Sequence, residues 1–403
     1  MNKKIDNKSL SFDLGLLPIS NRFLKNKFKK SPKFPFKVDI SERNGLITLN
    51  KPFPLHEVRP RFDWITCSEP EDHLDDLVDV LIQLPEISKK SVIASFSFKD
   101  ISTLERLKKK GFVNQWSIDP KEDLKIKNKK CSIETFQSKF NLKSAEKILD
   151  KYGLADIIIV RHVLEHSYDI DNFVNSIKKL IKKNGYIVWE LPDCKKSLKK
   201  LDYTMLWEEH TYYFTKFTLK HFLKKNNFEI VKFYSVPYSY ENSLVAIVKN
   251  KEDSFYKENN YFHRELKDEI RHAKFFAKSL NKQRKKIREK LVQLKKRYSG
   301  GDIVLYGAGH LSVAFISIIQ LSDIISYVID DNLNKKEMIM PIGNIKIVNS
   351  KKLYEKNIKI CLLGLNPENH STIIRKNKDF VKKGGIFLSI FPGSKSYFGE
   401  QIK

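Results

Sequence analysis

Residues Ala155–Asp193 read ADIIIVRHVLEHSYDIDNFVNSIKKLIKKNGYIVWELPD, and their pattern decides the fold class. Ala155–Val160 is a short apolar run rich in β-branched residues, which predicts a buried strand. Asp169–Lys183 is amphipathic, which predicts a helix. Tyr186–Leu191 is apolar again, behind an Asn-Gly break. A strand, a helix and a second strand in this order form a parallel unit covered on its faces.

Working outward, the same alternation extends from Ser91 to about Lys249. Further strands are expected at Ser91–Phe98, Val113–Ile118, Phe228–Ser235 and Ser243–Lys249, with helices at Ile101–Lys110, Lys143–Tyr152 and Thr218–Asn226. Lys251–Tyr298 is densely charged, with apolar residues at helical spacing (Phe262, Leu266, Ile270, Phe275, Leu280, Ile287, Leu291, Leu294). It reads as a long solvated helix with one packed stripe, or as a partner-binding coiled coil. A second α/β unit follows, with strands at Asp302–Tyr306, Ile324–Ile329, Ile358–Leu365 and Gly385–Ser389 and a helix at His310–Leu321. Seven prolines between Pro18 and Pro70 break the opening segment. The expected architecture is α/β: two tandem Rossmann-like doubly wound sheets joined by a long helix, behind a small irregular N-terminal region. The boundaries fall at 1–85, 86–250, 251–299 and 300–403.

Composition narrows the function classes. The chain has 403 residues, a hydrophobic fraction of 41 % and a net charge of +27. Only 12 of the 75 basic residues are arginine, and the lysines are spread over nearly every element. Nucleic-acid binding needs basic residues gathered on one face, so no nucleic-acid partner is expected. The four cysteines (Cys67, Cys131, Cys194, Cys361) are far apart, which excludes a disulfide scaffold and a zinc ribbon. The opening MNKKIDNKSLSFD lacks the apolar stretch of a signal peptide, and polar residues interrupt Leu311–Ile329. A cytoplasmic protein without a membrane partner is the expectation.

Four constellations could carry chemistry. In Ser91–Pro120 a strand turns into a helix, and the next strand closes on Asp119, an acidic group placed to accept ribose hydroxyls. Glycines are missing from the first turn, Ser97-Phe98-Lys99-Asp100, so Asp100 and Ser102 either contact a ligand or simply cap the helix. After Ala155–Val160 come Arg161, His162, Glu165 and His166, and a helical turn would put both histidines on one face. They suit a general base or acid better than a metal site, which needs a third ligand. In Leu206–Phe217, LWEEHTYYFTKF, Glu208 and Glu209 adjoin His210. A carboxylate there could orient the imidazole, or the group could be a surface ion pair. Finally, YGAGH at Tyr306–His310 follows a strand and opens a helix about twenty residues before Asp330, as in nucleotide-phosphate turns.

With these residues in view, the chain resembles the class I S-adenosylmethionine-dependent C-methyltransferases that act on sugar nucleotides. The resemblance rests on HVLEH (His162–His166), KKNGYIVWELPD (Lys182–Asp193), EEHTYYFT (Glu208–Thr215), YGAG (Tyr306–Gly309) and LGLLPISN (Leu14–Asn21). It implies a small zinc-binding N-terminal domain, a central methyltransferase domain and a C-terminal Rossmann-like domain. It also implies methyl transfer to a ring carbon beside a ketone of a nucleotide-linked keto sugar. On this likeness His210 is the base, Glu209 orients it, and His166 holds the sugar or the enolate oxygen. Asp119 would bind the cofactor ribose and Ser97 and Asp100 its methionine end, with Arg161 and His162 beside them. Tyr306, Gly307, Gly309 and Lys335 would meet the sugar nucleotide. Ser41-Glu42-Arg43-Asn44-Gly45 stands in place of the family's CxxCG, so no metal is expected. Trp207 stands where a Tyr is usual. The alternative is a catalytically silent relative that binds a sugar nucleotide or a protein.

Overall fold

The computed structural model describes residues 9–400 apart from 63, 66–68, 128–131, 252–257, 259, 300 and 356, so Cys67 and Cys131 lie outside the described residues. Ser9–Pro18 (β1), Lys33–Ser41 (β2) and Ile47–Leu49 (β3) form an antiparallel sheet. The expectation of an irregular N-terminal region is therefore corrected. Pro35 is tolerated because it lies opposite Leu16, at the register shift of β1 and beyond the stretch of β2 that pairs with β3, where no ladder N–H is required. Leu74–Leu81, which the expected boundary at 85 would separate from the central unit, packs its Leu77, Val78 and Leu81 on that unit's sheet.

Ile93–Ser95 (β4), Gln115–Ser117 (β5), Ala155–Arg161 (β6) and Ile181–Asp193 (β7) are the parallel strands of the central sheet. Tyr212–Tyr213 (β8) leaves it to pair with β3, tying the N-terminal sheet to the centre. Phe228–Val236 (β9) and Asn242–Asn250 (β10) form an antiparallel hairpin, giving the order β5-β4-β6-β7-β10-β9. β4 and β5 are shorter than their apolar runs suggest. Phe96 has left the sheet and is packed 5.1–5.9 Å from Phe136, Phe140 and Phe173. The helix Ile133–Lys139, which carries Phe136, was not expected.

Asp302–Tyr306 (β11), Ile325–Ile329 (β12), Ile347–Val348 (β13), Ile358–Leu363 (β14) and Ile386–Ser389 (β15) make a second sheet, all parallel, in the order β13-β12-β11-β14-β15. The helix Asn260–Arg297 runs 38 residues, roughly 57 Å at 1.5 Å per residue. The expected packed stripe is present on an otherwise solvated helix, and it packs on two neighbours at once. Ala273, Phe276, Leu280, Ile287, Leu291 and Leu294 are buried in one core shared by the N-terminal sheet and the second α/β unit. The expected stripe is off by one position at its centre: Phe275 is 58 % exposed and Phe276 1 %. Arg284 and Arg288 then donate to the carbonyls of Ile318 and Gln320, satisfying orphan acceptors at the end of helix His310–Ile319. Among the described residues no helix is long and apolar enough to cross a membrane.

Candidate active site

Parallel strands aim their carboxyl ends at one edge of each sheet, and the two edges face each other across a pair of cavities. The first cavity, about 710 Å³, opens over the turn after β4 and is lined by Phe98, Lys99, Ile133, Glu134, His166 and Glu209, with Ser20, Asn21 and Trp64 of the N-terminal region. The second, about 500 Å³, lies over the ends of β6, β7 and β10, with His162, Glu165, Glu190, His210, Tyr238 and Glu241 on one side. Tyr306, Gly307, Gly309, Asp330, Lys335 and Lys376 of the C-terminal unit form the other side. Trp207, Ala308, Gly309, His310, Asn332 and Lys335 border both.

The wall between them is a stack. The Trp207 and His310 rings lie 4.3 Å apart at 18°. Trp207 is fixed by Nε1–H donating to Ser20 Oγ (3.0 Å), and Ser20 Oγ donates to Glu208 Oε1 (2.7 Å). Burial pushes the Glu208 carboxyl up to about 7 and the His310 imidazole down to about 4. Nothing in the sequence marked His310 as a partner of Trp207, because they are 103 positions apart. Ser20 and Asn21 did have a signal, the segment LGLLPISN.

His166 and His210 face each other beside this wall, ring centroids 4.7 Å apart at 85°. Burial, with the neighbouring His166 and His310, holds the His210 imidazole well below its ordinary value. His166 Nδ1 lies 2.7 Å from Glu134 Oε1 and 3.0 Å from the Glu209 carbonyl. The Glu209 carboxyl does not orient His210, contrary to the expectation from sequence. It accepts from Asn21 Nδ2 (3.2 Å), because the Trp207–His210 turn points consecutive side chains in different directions. The acid that comes near the His210 ring is Glu165, which with His166 offers ligand atoms within 4.8 Å of it. Burial and the nearby Glu134 and Glu208 charges raise the Glu209 carboxyl well above the carboxylate range. Glu134, although desolvated, is held below that range by His166. Two neighbouring carboxyls thus stand at opposite ends of the scale, the pattern of an acid beside a base.

The residues expected to hold a cofactor are mostly turned inward. Asp100 is fully buried and accepts from the N–H groups of Phe96 (3.0 Å), Ser97 (2.8 Å) and Arg161 (2.9 Å). Ser97 Oγ accepts from Lys99 N. Asp119 accepts from the N–H groups of Lys121 and Glu122 in its own turn. Arg161 donates from Nε to Glu190 Oε2 (2.6 Å) and from Nη1 to the Lys99 carbonyl (2.7 Å). A turn without glycines satisfies its N–H groups with its own acid, so the contacts expected of Ser97, Asp100 and Arg161 are corrected, whereas Asp119 is exposed and uses only Oδ1 within its turn. His162 alone of that set reaches a cavity. Its φ of 50° bends the chain over the sheet edge, where it meets Glu190 (3.2 Å) and Glu165 (3.5 Å). Phe96 is buried in the core and does not line the first cavity, whose wall includes Phe98 and Lys99.

Tyr306, Gly307, Gly309 and Lys335 do come together. Gly307 has φ 102°, and a Cβ there would approach Leu365 to 3.0 Å, so glycine is required. Asp330 accepts from Ala308 N (2.9 Å) and Lys335 Nζ (2.9 Å), and Tyr306 donates to Asp331.

Comparison with known protein families matches residues 101–232 to a methyltransferase domain and residues 245–392 to the C-methyltransferase C-terminal domain. Over these two stretches the chain is similar to methyltransferase-family domains. The second match takes in the long helix, in keeping with the core that helix shares with the C-terminal unit. The cofactor that belongs to such a methyltransferase domain is S-adenosylmethionine. The C-methyltransferase NovU of Streptomyces niveus is 23 % identical over 189 residues, 45 % of this chain and 44 % of that protein, so the chain spans less than half of the curated relative it matches. Among solved structures, the YcgJ protein of Bacillus subtilis is 9 % identical with TM-score 0.30 (44 % of this chain, 98 % of that one). A SAM-dependent methyltransferase of Anabaena variabilis is 13 % identical with TM-score 0.28 (44 % and 84 %). Likeness at that level adds nothing to the functional reading.

Proposed function

We propose that the protein is an S-adenosylmethionine-dependent C-methyltransferase whose acceptor is a nucleotide-linked keto sugar or a related carbohydrate precursor. One observation carries this reading: the two cavities meet at His166, Trp207 and His210, one over the methyltransferase sheet and the other closed by the YGAG turn. At about 710 Å³ the first cavity is in the size range of small-molecule sites. Its chemistry fits the donor: Phe98, Ile133 and Trp64 offer apolar walls to a purine. When bound, S-adenosylmethionine supplies an electrophilic methyl group.

The chain's own groups would do the rest. His210, neutral at pH 7, takes the proton α to the acceptor's carbonyl. Glu209, whose carboxyl burial and the Glu134 and Glu208 charges raise well above the carboxylate range, and His166 would donate to a developing enolate oxygen. Tyr306, the turn at Gly307–Gly309 and Lys335 hold the nucleotide end of the acceptor.

A second reading, a silent relative that binds a sugar nucleotide without methylating it, is favoured by the self-satisfied turn at Ser97–Asp100. Thermal unfolding with S-adenosylhomocysteine separates the two. Binding raises the midpoint by an amount set by ligand concentration over dissociation constant. No shift at millimolar ligand overturns the enzymatic reading and leaves the silent one.

A further inference from the structure

The two ring nitrogens of His166 have different surroundings. Nδ1 faces two acceptors, Glu134 Oε1 at 2.7 Å and the Glu209 carbonyl at 3.0 Å. Those acceptors hold the ring proton on Nδ1 and leave a lone pair on Nε2. Glu134 is 1 % exposed and comes from the helix Ile133–Lys139, which was not expected from sequence. A carboxylate behind an imidazole fixes the tautomer of many metal-binding histidines in this way.

On the Nε2 side stands a second acid. Glu165 Oε1 lies 4.0 Å from Nε2, beyond hydrogen-bond reach. Glu165 is 2 % exposed, and neither of its carboxylate oxygens has a hydrogen-bond partner. His162 Nδ1 approaches Oε1 to 3.5 Å, an ion pair without a hydrogen bond. His210 completes the set: one ligand atom from each of Glu165, His166 and His210 lies within 4.8 Å of the other two. Ligands on a tetrahedral ion with bonds of about 2.0–2.2 Å stand roughly 3.3 Å apart, so small side-chain rotations close the triangle. His166 borders the first cavity, and Glu165 and His210 border the second, so the group is reached from both. A lone pair facing a bare, buried carboxylate is costly, and a cation between them removes the cost.

We infer that Glu165, His166 and His210 form a binding site for a zinc-class divalent cation, with Glu134 as the outer partner of His166. The pair His162 and His166 lacked a third ligand in the sequence. The fold replaces His162 with His210 and adds Glu165. Two imidazoles and one carboxylate suit Zn²⁺ and neighbouring transition metals, whereas Mg²⁺ and Ca²⁺ prefer oxygen ligands alone. A bound ion engages the lone pair of His210. On the methyltransferase reading above, metal binding and proton abstraction by His210 therefore exclude each other.

The test is calorimetric titration of the full chain, freed of metal by a chelator and dialysed, with zinc chloride and separately with magnesium chloride. One zinc per chain should bind, and magnesium should not. Zinc affinity should fall at least about tenfold in Glu165→Gln and in His210→Gln, and by about tenfold or more in Glu134→Gln. X-ray absorption of the zinc-loaded wild type needs no variant and should show nitrogen and oxygen ligands alone, at about 2.0–2.2 Å. No stoichiometric zinc binding, unchanged affinity in Glu165→Gln and His210→Gln, or sulfur around the zinc overturns the site. None of these readouts involves methyl transfer. Their failure leaves the proposed function standing, and a missing S-adenosylhomocysteine shift leaves the metal site standing.

Discussion

Trp207 and His310 stack at 4.3 Å across the boundary between the methyltransferase unit and the C-terminal unit, and their rings are the wall between the two cavities. Reaction between ligands on opposite sides requires passage beside this wall, and His166 and His210 stand at its edge. Trp207→Ala should merge the cavities and raise KM for the acceptor. Stabilisation by S-adenosylhomocysteine should remain, since the wall of the first cavity at Phe98, Lys99 and Ile133 is untouched. Trp207→Phe keeps a stacking ring but loses the bond to Ser20, and should fall between wild type and Ala. Steady-state kinetics on both variants checks this, and an unchanged KM in Trp207→Ala contradicts it.

His210→Ala should lower turnover by about 10²- to 10⁴-fold, the range of a lost general base. The same variant should still be stabilised by S-adenosylhomocysteine, because His210 does not line the first cavity. Glu209→Gln, with the Asn21 contact kept, should lower turnover less than His210→Ala does. Equal turnover in His210→Ala and wild type would remove His210 from the chemistry.

His310 should take away stability as pH falls from 6.5 to 4, while the raised carboxyls of Glu208 and Glu209 work in the opposite direction. His310 is held down to about 4 in the folded state, against about 6.5 when unfolded, so the unfolded chain binds the extra proton in that window. Stability is then full above the unfolded value and is lost as pH falls toward the folded one. His210, depressed in the same direction, adds to the slope. His310→Phe keeps a ring against Trp207 and removes one titration, so its melting temperature should gain on that of the wild type as pH falls from 6.5 to 4. Parallel curves for wild type and variant would assign the acid sensitivity elsewhere.

Phe276→Ala should cost about 3–5 kcal/mol, the usual loss for a fully buried aromatic. Phe275→Ala, one position away and 58 % exposed, should change stability by roughly 0.5 kcal/mol or less. Denaturant midpoints measured side by side check the pair. A similar loss in both would mean that the helix stripe is assigned to the wrong residue.

Both α/β units and most of their elements were legible from local pattern alone. Apolar runs of β-branched residues and Gly-containing turns are local signals, and they placed β6, β7, β11 and β14 to within a few residues. The sequence also picked out His166 and Tyr306–Gly309, which stand at a strand's carboxyl end or the turn beyond it, and His210, which the adjoining Glu208 and Glu209 marked. Only the tertiary structure decided what those groups touch. Glu209 bonds Asn21 rather than His210, Asp100 closes its own turn, and Trp207 meets His310 from another unit. Backbone conformation follows from neighbours in the chain, whereas a side chain's partner is set by how separate sheets dock. That docking here runs through a core shared by the N-terminal sheet, the long helix and the C-terminal unit, and no local pattern encodes it.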